Sequence, residues 1–277
     1  MVRPRSSACL NAFAVASAFT WIGCPRPPIE FGPEGQIFDG SRLVALLNKD
    51  AESRRGIKAA AKVSVESPTQ KGSVDELLSA SRPANLHLET LDFFGRPVAL
   101  LVTSGGRFAF FDSGKNEVTR GPASADNLAR ILPLTLAPAD AVALLLGVPG
   151  PIESATPSLA LDEGRRAYVL TLSGASSKQT IVADTRDLKI LEMDLQGSFG
   201  YRVEYDKFEE GRARRVAHRI RLSVPERGTR VEVSLSDVEL NAEDEPGLFT
   251  FAAPAGARSI EVDAEGRILP TGQSAPR

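Results

Sequence analysis

Cysteine and histidine are scarce in this sequence. The 277 residues include two cysteines, Cys9 and Cys24, and two histidines, His87 and His218. Both cysteines lie within the first 24 residues, so the rest of the chain has no thiol for a disulfide or for a Cys-rich zinc site. These counts also exclude HExxH metal sites and Cys/His catalytic dyads.

Several enzyme motifs are missing as well. No GxSxG elbow, Walker loop or GxGxxG occurs, and Gly105-Gly106 is better explained as a hairpin turn. Acidic residues are plentiful, which leaves carboxylate-only catalysis open, but no pattern places two of them together. His218 falls on the apolar side of a strand pattern, where a hydrogen-bonded core histidine is expected. We therefore expect a protein that is not an enzyme.

The chain also lacks an excess of charge. It has 42% hydrophobic and 25% charged residues and a formal net charge of -2, which is ordinary for a globular protein. Such a balance gives no reason to expect nucleic acid as a partner. The length suits one large domain, because all-β architectures often use this many residues as a single unit.

The first 24 residues differ from the rest in composition. Arg3 and Arg5 precede an uncharged, largely apolar stretch that ends at Cys24, which is typical of a secretory leader. An uncleaved membrane span is the alternative, although polar residues dilute the stretch. Trp21-Ile22-Gly23-Cys24 resembles a bacterial lipobox, in which the cysteine is acylated and becomes the first residue, but Trp21 replaces the usual aliphatic residue. We predict a lipoprotein signal peptide at 1–23 and lipidation of Cys24; an incidental cysteine is the alternative.

Proline and glycine dominate the next segment. Residues 25–40 hold four prolines and three glycines without helical or strand periodicity. We predict a Pro-rich tether at 24–40 that holds the body away from a membrane, although a disordered N-terminal segment would have the same composition.

Helical patterns are few. Ser41 is placed as the cap of an amphipathic helix that ends near Gly56. Residues 126–132 and 138–147 form two further candidates, and the second begins with a proline and ends at a glycine.

Strand patterns occupy most of the remaining chain. Alternation or apolar character predicts strands at 57–65, 86–91, 98–102 and 108–111, while 74–81 is ambiguous between strand and helix. From Arg165 onward, short strands and turns continue for about 75 residues as an antiparallel meander. One face of this sheet is apolar and the other charged, so a single face is solvated.

Three short helices are few for some ten strands. A wide sheet that curves around too few helices can enclose a cavity. It can equally fill its own interior with Phe199, Tyr201 and Tyr205. Periodicity alone leaves both interiors open.

The order of elements resembles the LolA/LolB-like bacterial lipoproteins over most of residues 41–254. Three stretches carry the resemblance: Leu91-Asp-Phe-Phe-Gly-Arg-Pro-Val-Ala-Leu-Leu, then Leu132-Pro-Leu-Thr-Leu with Ala143-Leu-Leu-Leu-Gly-Val-Pro149, and Leu248-Phe-Thr-Phe as the closing strand. The resemblance implies an α+β, mainly β fold: a curved antiparallel incomplete β-barrel, or half-barrel, of about ten to eleven strands with a short helical lid. It assigns this domain to 41–254 and leaves a polar C-terminal tail at 255–277.

The resemblance also implies a function. The apolar hollow of such proteins receives acyl chains of lipids or lipoproteins, which implies that this chain binds them and aids their localisation to the outer membrane. Transfer between apolar environments needs no cofactor. The lining that we predict comprises Tyr201, Val203, Tyr205, Val216, Ile220, Leu222, Val231 and Val233 from the sheet, with Leu145 and Leu146 from the lid.

The two branches of the family differ in anchoring. Cys24 favours the lipidated LolB-type branch, which implies attachment to the outer membrane on its periplasmic side and a periplasmic carrier protein as a candidate partner. Phe94 stands where that branch has a membrane-contacting leucine, and Phe93 replaces a proline. We predict that this pair forms a membrane-contact loop, whereas adjacent aromatics are otherwise usually packing residues. A non-catalytic envelope sensor or assembly scaffold with a filled interior is the alternative function.

Overall fold

The computed structural model describes residues 27–150, 155–197, 200–208 and 216–270. The predicted signal peptide, Cys24 and Phe199 therefore lie outside the described residues. The described elements are, in chain order, α1 (Gly40–Glu52), β1 (Gly56–Glu66), β2 (Lys71–Ser81), β3 (Asn85–Leu91), β4 (Pro97–Ser104), β5 (Arg107–Asp112), β6 (Glu117–Pro122), α2 (Ala125–Leu128), α3 (Pro138–Leu146), β7 (Thr156–Asp162), β8 (Ala167–Ser173), β9 (Lys178–Asp184), β10 (Ile190–Gln196), β11 (Tyr201–Phe208), β12 (Ala217–Val224), β13 (Thr229–Leu240) and β14 (Arg258–Glu261).

All fourteen described strands belong to one open sheet, in the order β14-β6-β5-β4-β3-β2-β1-β13-β12-β11-β10-β9-β8-β7. The neighbours are antiparallel except β14, which runs parallel to β6. Two meanders, β1 to β6 and β7 to β13, are joined where β13 pairs with β1. The predicted mainly β, curled open sheet is thus confirmed, but the predicted count of ten to eleven strands is wrong.

Two of the additional strands lie where local sequence signals are weak. The ambiguous stretch at 74–81 belongs to β2, which pairs with β1 from Gly56↔Ser81 to Glu66↔Lys71 without a register shift. Pairing on both sides overrides the helical propensity of its Asp75-Glu-Leu-Leu segment. β14 lies within the predicted polar tail, so the folded body extends beyond the predicted boundary at residue 254.

The helices correct two details of the prediction and agree with a third. α1 is capped by Asp39, whose carboxylate accepts a hydrogen bond from the Ser41 N–H at 2.9 Å, so Ser41 lies inside the helix rather than at its cap. α2 has only four residues, and the rest of the predicted helix at 126–132 forms turns in which the Ile131 and Leu132 N–H groups both donate to the Leu128 carbonyl. α3 has its predicted bounds and ends at Gly147 with φ 62°. No helix among the described residues is long and apolar enough to cross a membrane.

The apolar face of the sheet packs into two cores. The main core lies between the sheet and helices α1 and α3, and it includes Leu43, Leu146 and Tyr168. The minor core is built from Leu101, Phe108, Leu128 and Val262. Since none of the helices in the described ranges is long enough to cover the whole face, the sheet is covered in two separate places.

The predicted tether is in large part bound to the body, which corrects its assignment as a spacer. The Gly32 N–H donates to the Thr185 carbonyl at 3.0 Å, and the Ile37 N–H donates to the Tyr168 hydroxyl at 2.9 Å. Ile37 is only 3% exposed. A Cβ on Gly32 would lie 2.2 Å from the Arg186 carbonyl oxygen, so glycine is what permits this close approach.

The stretch at 248–251 is a turn rather than the closing strand expected from the resemblance. It crosses the outer face of the sheet: the His87 Nδ1–H donates to the Leu248 carbonyl at 2.8 Å, and the Phe251 ring lies 6.3 Å from the Phe111 ring. This crossing carries the chain from β13 to the far edge, where β14 pairs with β6.

Antiparallel pairing sorts the turns onto two opposite rims of the sheet. The aromatic rim carries the turns at 67–70, 92–96 and 225–228, which follow β1, β3 and β12. The N-terminal rim carries the turns at 163–166 and 185–189, together with the bound segment at 27–32. The two rims therefore lie at opposite ends of the strands.

Gly121→Ala tests whether the C-terminal strand is part of the folded core. An ideal Cβ at Gly121 would lie 2.6 Å from Val262 Cγ2 and 2.8 Å from its carbonyl oxygen, so the methyl group must displace this strand. We expect a loss of about 1–3 kcal/mol in the free energy of unfolding, measured by urea denaturation. Gly72→Ala is the control, because a Cβ there meets nothing within 4 Å. Equal stabilities of the two variants would contradict the assignment.

Candidate binding groove

The ten side chains predicted to line a cavity are packed in or against the interior. Val203, Tyr205, Val216, Ile220, Leu222 and Leu146 are buried members of the main core. Tyr201, Val233 and Leu145 are half-buried against it, and Val231 is 4% exposed. The structure packs these side chains of α3 and the sheet together, and they fill the space between the two.

Two polar side chains hold α3 against the sheet. Arg54 is 3% exposed and donates from Nη1 to the carbonyls of Leu146 at 2.8 Å and Gly147 at 3.3 Å, and its Nη2 pairs with Asp50. The Tyr205 hydroxyl donates to the Leu144 carbonyl at 3.1 Å. The bonds from Arg54 satisfy carbonyls at the end of α3, where helical partners run out, and Tyr205 adds a second donor to the Leu144 carbonyl, which also accepts the Gly147 N–H.

Burial shifts the pKa values of the groups around α3. Desolvation lowers the pKa of Arg54 to about 10, although the nearby Tyr205 opposes this shift. Desolvation raises the pKa of Tyr201 to about 12, with a further contribution from the charge of Asp140, and it raises that of Tyr205 as well. Both phenols are therefore neutral hydroxyls at physiological pH.

Open space occurs between the two cores. A groove of about 700 Å³ runs over the inner face of β1 to β5 and lies beneath the segment at 129–133, which we call the strap. Its apolar walls comprise Val63, Val65, Val74, Leu88, Ala99, Leu101 and Phe110 from the strands, with Ile131, Leu132 and Pro133 from the strap. Most of these side chains are only half-buried, because neither core extends far enough to cover them.

The strap is held at both ends. Ile131 and Leu132 pack against the minor core, and Leu134 packs against the main core. Arg227, from the turn between β12 and β13, donates to the Thr135 hydroxyl at 2.6 Å. The strap therefore joins the two cores across the groove.

One carboxylate lies among the apolar walls of the groove. Glu76 is half-buried on the inner face of β2, and the Thr90 hydroxyl donates to its Oε1 at 3.3 Å. Burial raises the pKa of Glu76, and the bond from Thr90 opposes the shift. Arg130 and Arg227 also border the groove and are exposed.

The turn at 92–96, here called the aromatic turn, projects two phenylalanines into solvent. Phe93 is 95% exposed and Phe94 is 77% exposed, and their rings pack edge to face at 5.5 Å. Asp92 accepts bonds from the N–H groups of Phe94 and Arg96 and from the Arg96 guanidinium, which lowers the pKa of Asp92. The predicted pair is thus held outward on a pre-formed turn, and neither ring is buried in the body.

A second cleft of about 740 Å³ lies on the N-terminal rim. Its charged residues include Lys49, Asp50, Arg186, Asp187 and Lys189. Lys189 lies 3.4 Å from Asp187 and 5.5 Å from the Phe208 ring centroid. Acidic and basic groups are mixed there and pair with one another, so the apolar groove is the better candidate for a binding site.

Comparison with solved structures places this geometry among known folds. A domain named for outer membrane lipoprotein sorting, from Vibrio parahaemolyticus, is 12% identical with a TM-score of 0.55 over 76% of this chain and 96% of its own. A LolA superfamily protein from Nitrosomonas europaea is 15% identical with a TM-score of 0.53 over 76% of this chain and 97% of its own. The chain has the LolA-type fold. A DUF1329 family protein from Desulfovibrio piger shares it, at 11% identity and a TM-score of 0.54 over 76% of this chain and 95% of its own.

Sequence comparisons add no family assignment to the LolA-type fold. Neither protein-family models nor curated proteins match this chain. The likeness is therefore one of architecture.

Sequence reasoning missed most of the groove in this LolA-type fold. Val63, Leu88 and Phe110 lie in strands that periodicity predicts, but the predicted lining lies on the second meander and on α3. Val63 and Val65 alternate on the inner face, and Val74 lies opposite Val63 on β2. This signal could have located the groove only if β2 had been recognised as a strand and its register with β1 had been known.

Arg54→Met tests whether the buried guanidinium holds α3 in place. The change removes both bonds to the carbonyls at the end of α3 and leaves Asp50 without its Arg54 partner. We expect about 2–4 kcal/mol lower stability and faster amide hydrogen exchange in α3. Arg55→Met, at the exposed neighbouring residue, is the control and is expected to stay within about 0.5 kcal/mol of the wild type. Unchanged exchange in α3 of the Arg54 variant would contradict this role.

Proposed function

We propose that the protein binds an acyl chain of a lipid or lipoprotein in the groove and aids its transfer within the cell envelope. The observation that carries this proposal is the row of half-buried apolar side chains on the inner face, such as Val63, Leu88 and Phe110, which border about 700 Å³ of open space. Small-molecule sites are typically apolar concavities of roughly 300–1,000 Å³.

Burial of hydrocarbon supplies the driving force. Each methylene group removed from water contributes about 0.8 kcal/mol, and the groove offers apolar contacts from both the sheet and the strap. Ile131 and Leu132 of the strap form one side of the groove, so a chain lying there would be covered on two sides. No bond needs to be made or broken, and no cofactor is required.

We extend the same proposal to the predicted lining around α3, which is packed in this structure. Tyr205, Leu145 and Leu146 would contact cargo only if α3 moved away from the sheet. Such a movement breaks the bonds from Arg54 and Tyr205 to the carbonyls of α3. A cargo with several acyl chains could supply the compensating burial, whereas a single chain fits the groove without this movement.

Anchoring through an acylated Cys24 would fix the orientation of the body. Arg166 donates to the Pro27 carbonyl at 3.4 Å on the N-terminal rim, and Cys24 lies three residues earlier, a reach of about 11 Å of extended chain. The anchored rim would then be the N-terminal one, and the aromatic turn would lie at the other end of the strands. We infer that Phe93 and Phe94 contact lipid or an acyl-bearing carrier approaching from the aqueous side, in the periplasm if the anchoring membrane is the outer membrane.

The alternative function, a sensor or scaffold with a filled interior, is favoured by one observation. The predicted cavity side chains are packed, with Val203 and Leu146 fully buried. A protein of this kind would bind its partner on an outer surface and would leave the groove without acyl cargo.

Val74→Trp tests acyl binding in the groove. Val74 is 42% exposed on the groove side of β2, so an indole there would occupy the groove without entering a core. We expect affinity for a fluorescent acyl chain with a neutral amide head to fall at least tenfold, measured by titration of the protein with Cys24→Ser. Leu77→Trp is the matched control, since Leu77 is 45% exposed on the opposite face of the same strand. Failure of every such probe to bind the unmodified groove would favour the scaffold.

Replacement of Phe93 and Phe94 by serine tests the aromatic turn. Both rings are exposed and held by a turn that Asp92 stabilises, so the change removes apolar surface without opening a core. We expect binding to lipid vesicles, measured by flotation of the Cys24→Ser protein, to decrease at least fivefold. Phe38→Ser is the control, because Phe38 is 80% exposed and lies outside the aromatic turn. An equal decrease in vesicle binding for both variants would contradict a specific role of the aromatic turn.

A further inference from the structure

Glu76 occupies a position where the structure calls for an apolar side chain. On the inner face it lies between Val74 and Leu78 along β2, opposite Ala61 on β1 and Thr90 on β3. A carboxylate transferred to such surroundings loses hydration, and this loss is costly unless hydrogen bonds or an opposite charge replace the water. A residue that served packing alone would be apolar, as Val63 and Leu88 are.

The protein replaces little of that hydration. The hydroxyl of Thr90 donates one bond of 3.3 Å to Glu76, whereas an ionised carboxylate can accept about four. No ion pair of Glu76 occurs within the part of the chain that the structure describes. Its remaining acceptor sites therefore border the open space of the groove.

The other charged residues of the groove are directed elsewhere. Arg130 donates to the Glu265 carbonyl at 3.0 Å, and Arg227 donates to the Thr135 hydroxyl at 2.6 Å. Both are exposed, so water screens their charge. Of the elements that face Glu76, β1 presents Ala61 and β3 presents Thr90, neither of which is charged.

We propose that Glu76 selects the cargo of the groove by its polar end, accepting acyl chains whose head is a hydrogen-bond donor without negative charge, such as an amide or amine, and rejecting carboxylate heads. This inference rests on the proposed binding of acyl chains. A donor head restores the hydrogen bonds that Glu76 lacks, while an anionic head adds like-charge repulsion in a partly dehydrated site.

Competition between three ligands of equal chain length tests the selection. Dodecanamide, dodecylamine and dodecanoate each displace the neutral fluorescent acyl probe from the Cys24→Ser protein at pH 8. We expect the amide and the amine to bind at least tenfold more tightly than the carboxylate. Equal affinities of the three ligands would overturn the selection and leave acyl binding intact, whereas failure of the probe itself to bind would overturn both proposals.

Two substitutions assign the selection to Glu76. Glu76→Gln keeps the size of the side chain but removes the charge and replaces one acceptor oxygen by an NH₂ donor, so dodecanoate should gain at least fivefold in affinity and dodecylamine should lose affinity. Asp75→Asn, next to Glu76 on the opposite face, makes the same change in net charge and should leave the three affinities within twofold. The proposal is contradicted if Glu76→Gln has the wild-type circular dichroism spectrum and leaves the affinity ratios of the three ligands unchanged.

The pH dependence of dodecanoate binding gives an independent readout. Burial raises the pKa of Glu76, so its carboxyl becomes neutral at a higher pH than an exposed glutamate does. We expect the preference against dodecanoate to weaken as the pH falls through this pKa, and Glu76→Gln to remove that dependence. A dependence that persists in the variant would assign the effect to the titration of the ligand.

Discussion

The architecture depends on one constraint: in the described part of the chain, fourteen strands form a sheet with a largely apolar inner face, and three short helices must keep water away from it. Pairing of β13 with β1 makes the face continuous, because it joins two meanders that would otherwise be separate sheets. Curling lets the sheet cover part of itself, and α1 with α3 fills the rest of the main core. The groove lies where this coverage ends.

The edge of the sheet at β6 and β14 shows how many chain segments are needed to cover even a small part of the inner face. Closing the minor core takes α2, the crossing over the outer face and β14, together with a Gly121 that allows Val262 to come close. This local closure leaves the half-buried apolar side chains of β1 to β5 between the two cores. A binding groove is therefore a consequence of incomplete coverage, and its walls need no dedicated motif in the sequence.

Sequence periodicity predicts much of this arrangement, but it fails for segments that become strands only by pairing with a distant neighbour. The mainly β character, α3 and the outward pair Phe93 and Phe94 follow from local signals, because alternation, a Pro start with a Gly stop, and a glycine turn act within a few residues. β2 and β14 could not be predicted in the same way, since each becomes a strand by pairing with a neighbour distant in sequence. The location of the open space depends on those pairings, which is why the predicted lining is in the packed core.

Polar side chains of the interior differ in how many hydrogen-bond partners the fold gives them. Arg54 and Tyr205 are more deeply buried than Glu76, yet their bonds go to helix carbonyls and their function is to position α3. Glu76 has one hydroxyl donor and borders open space. A buried polar group with a full set of partners stabilises the fold, whereas one that is short of partners is stabilised by a ligand that supplies them. This difference separates Arg54 and Tyr205, which the fold supplies with partners, from Glu76, whose remaining acceptor sites a bound head group would fill.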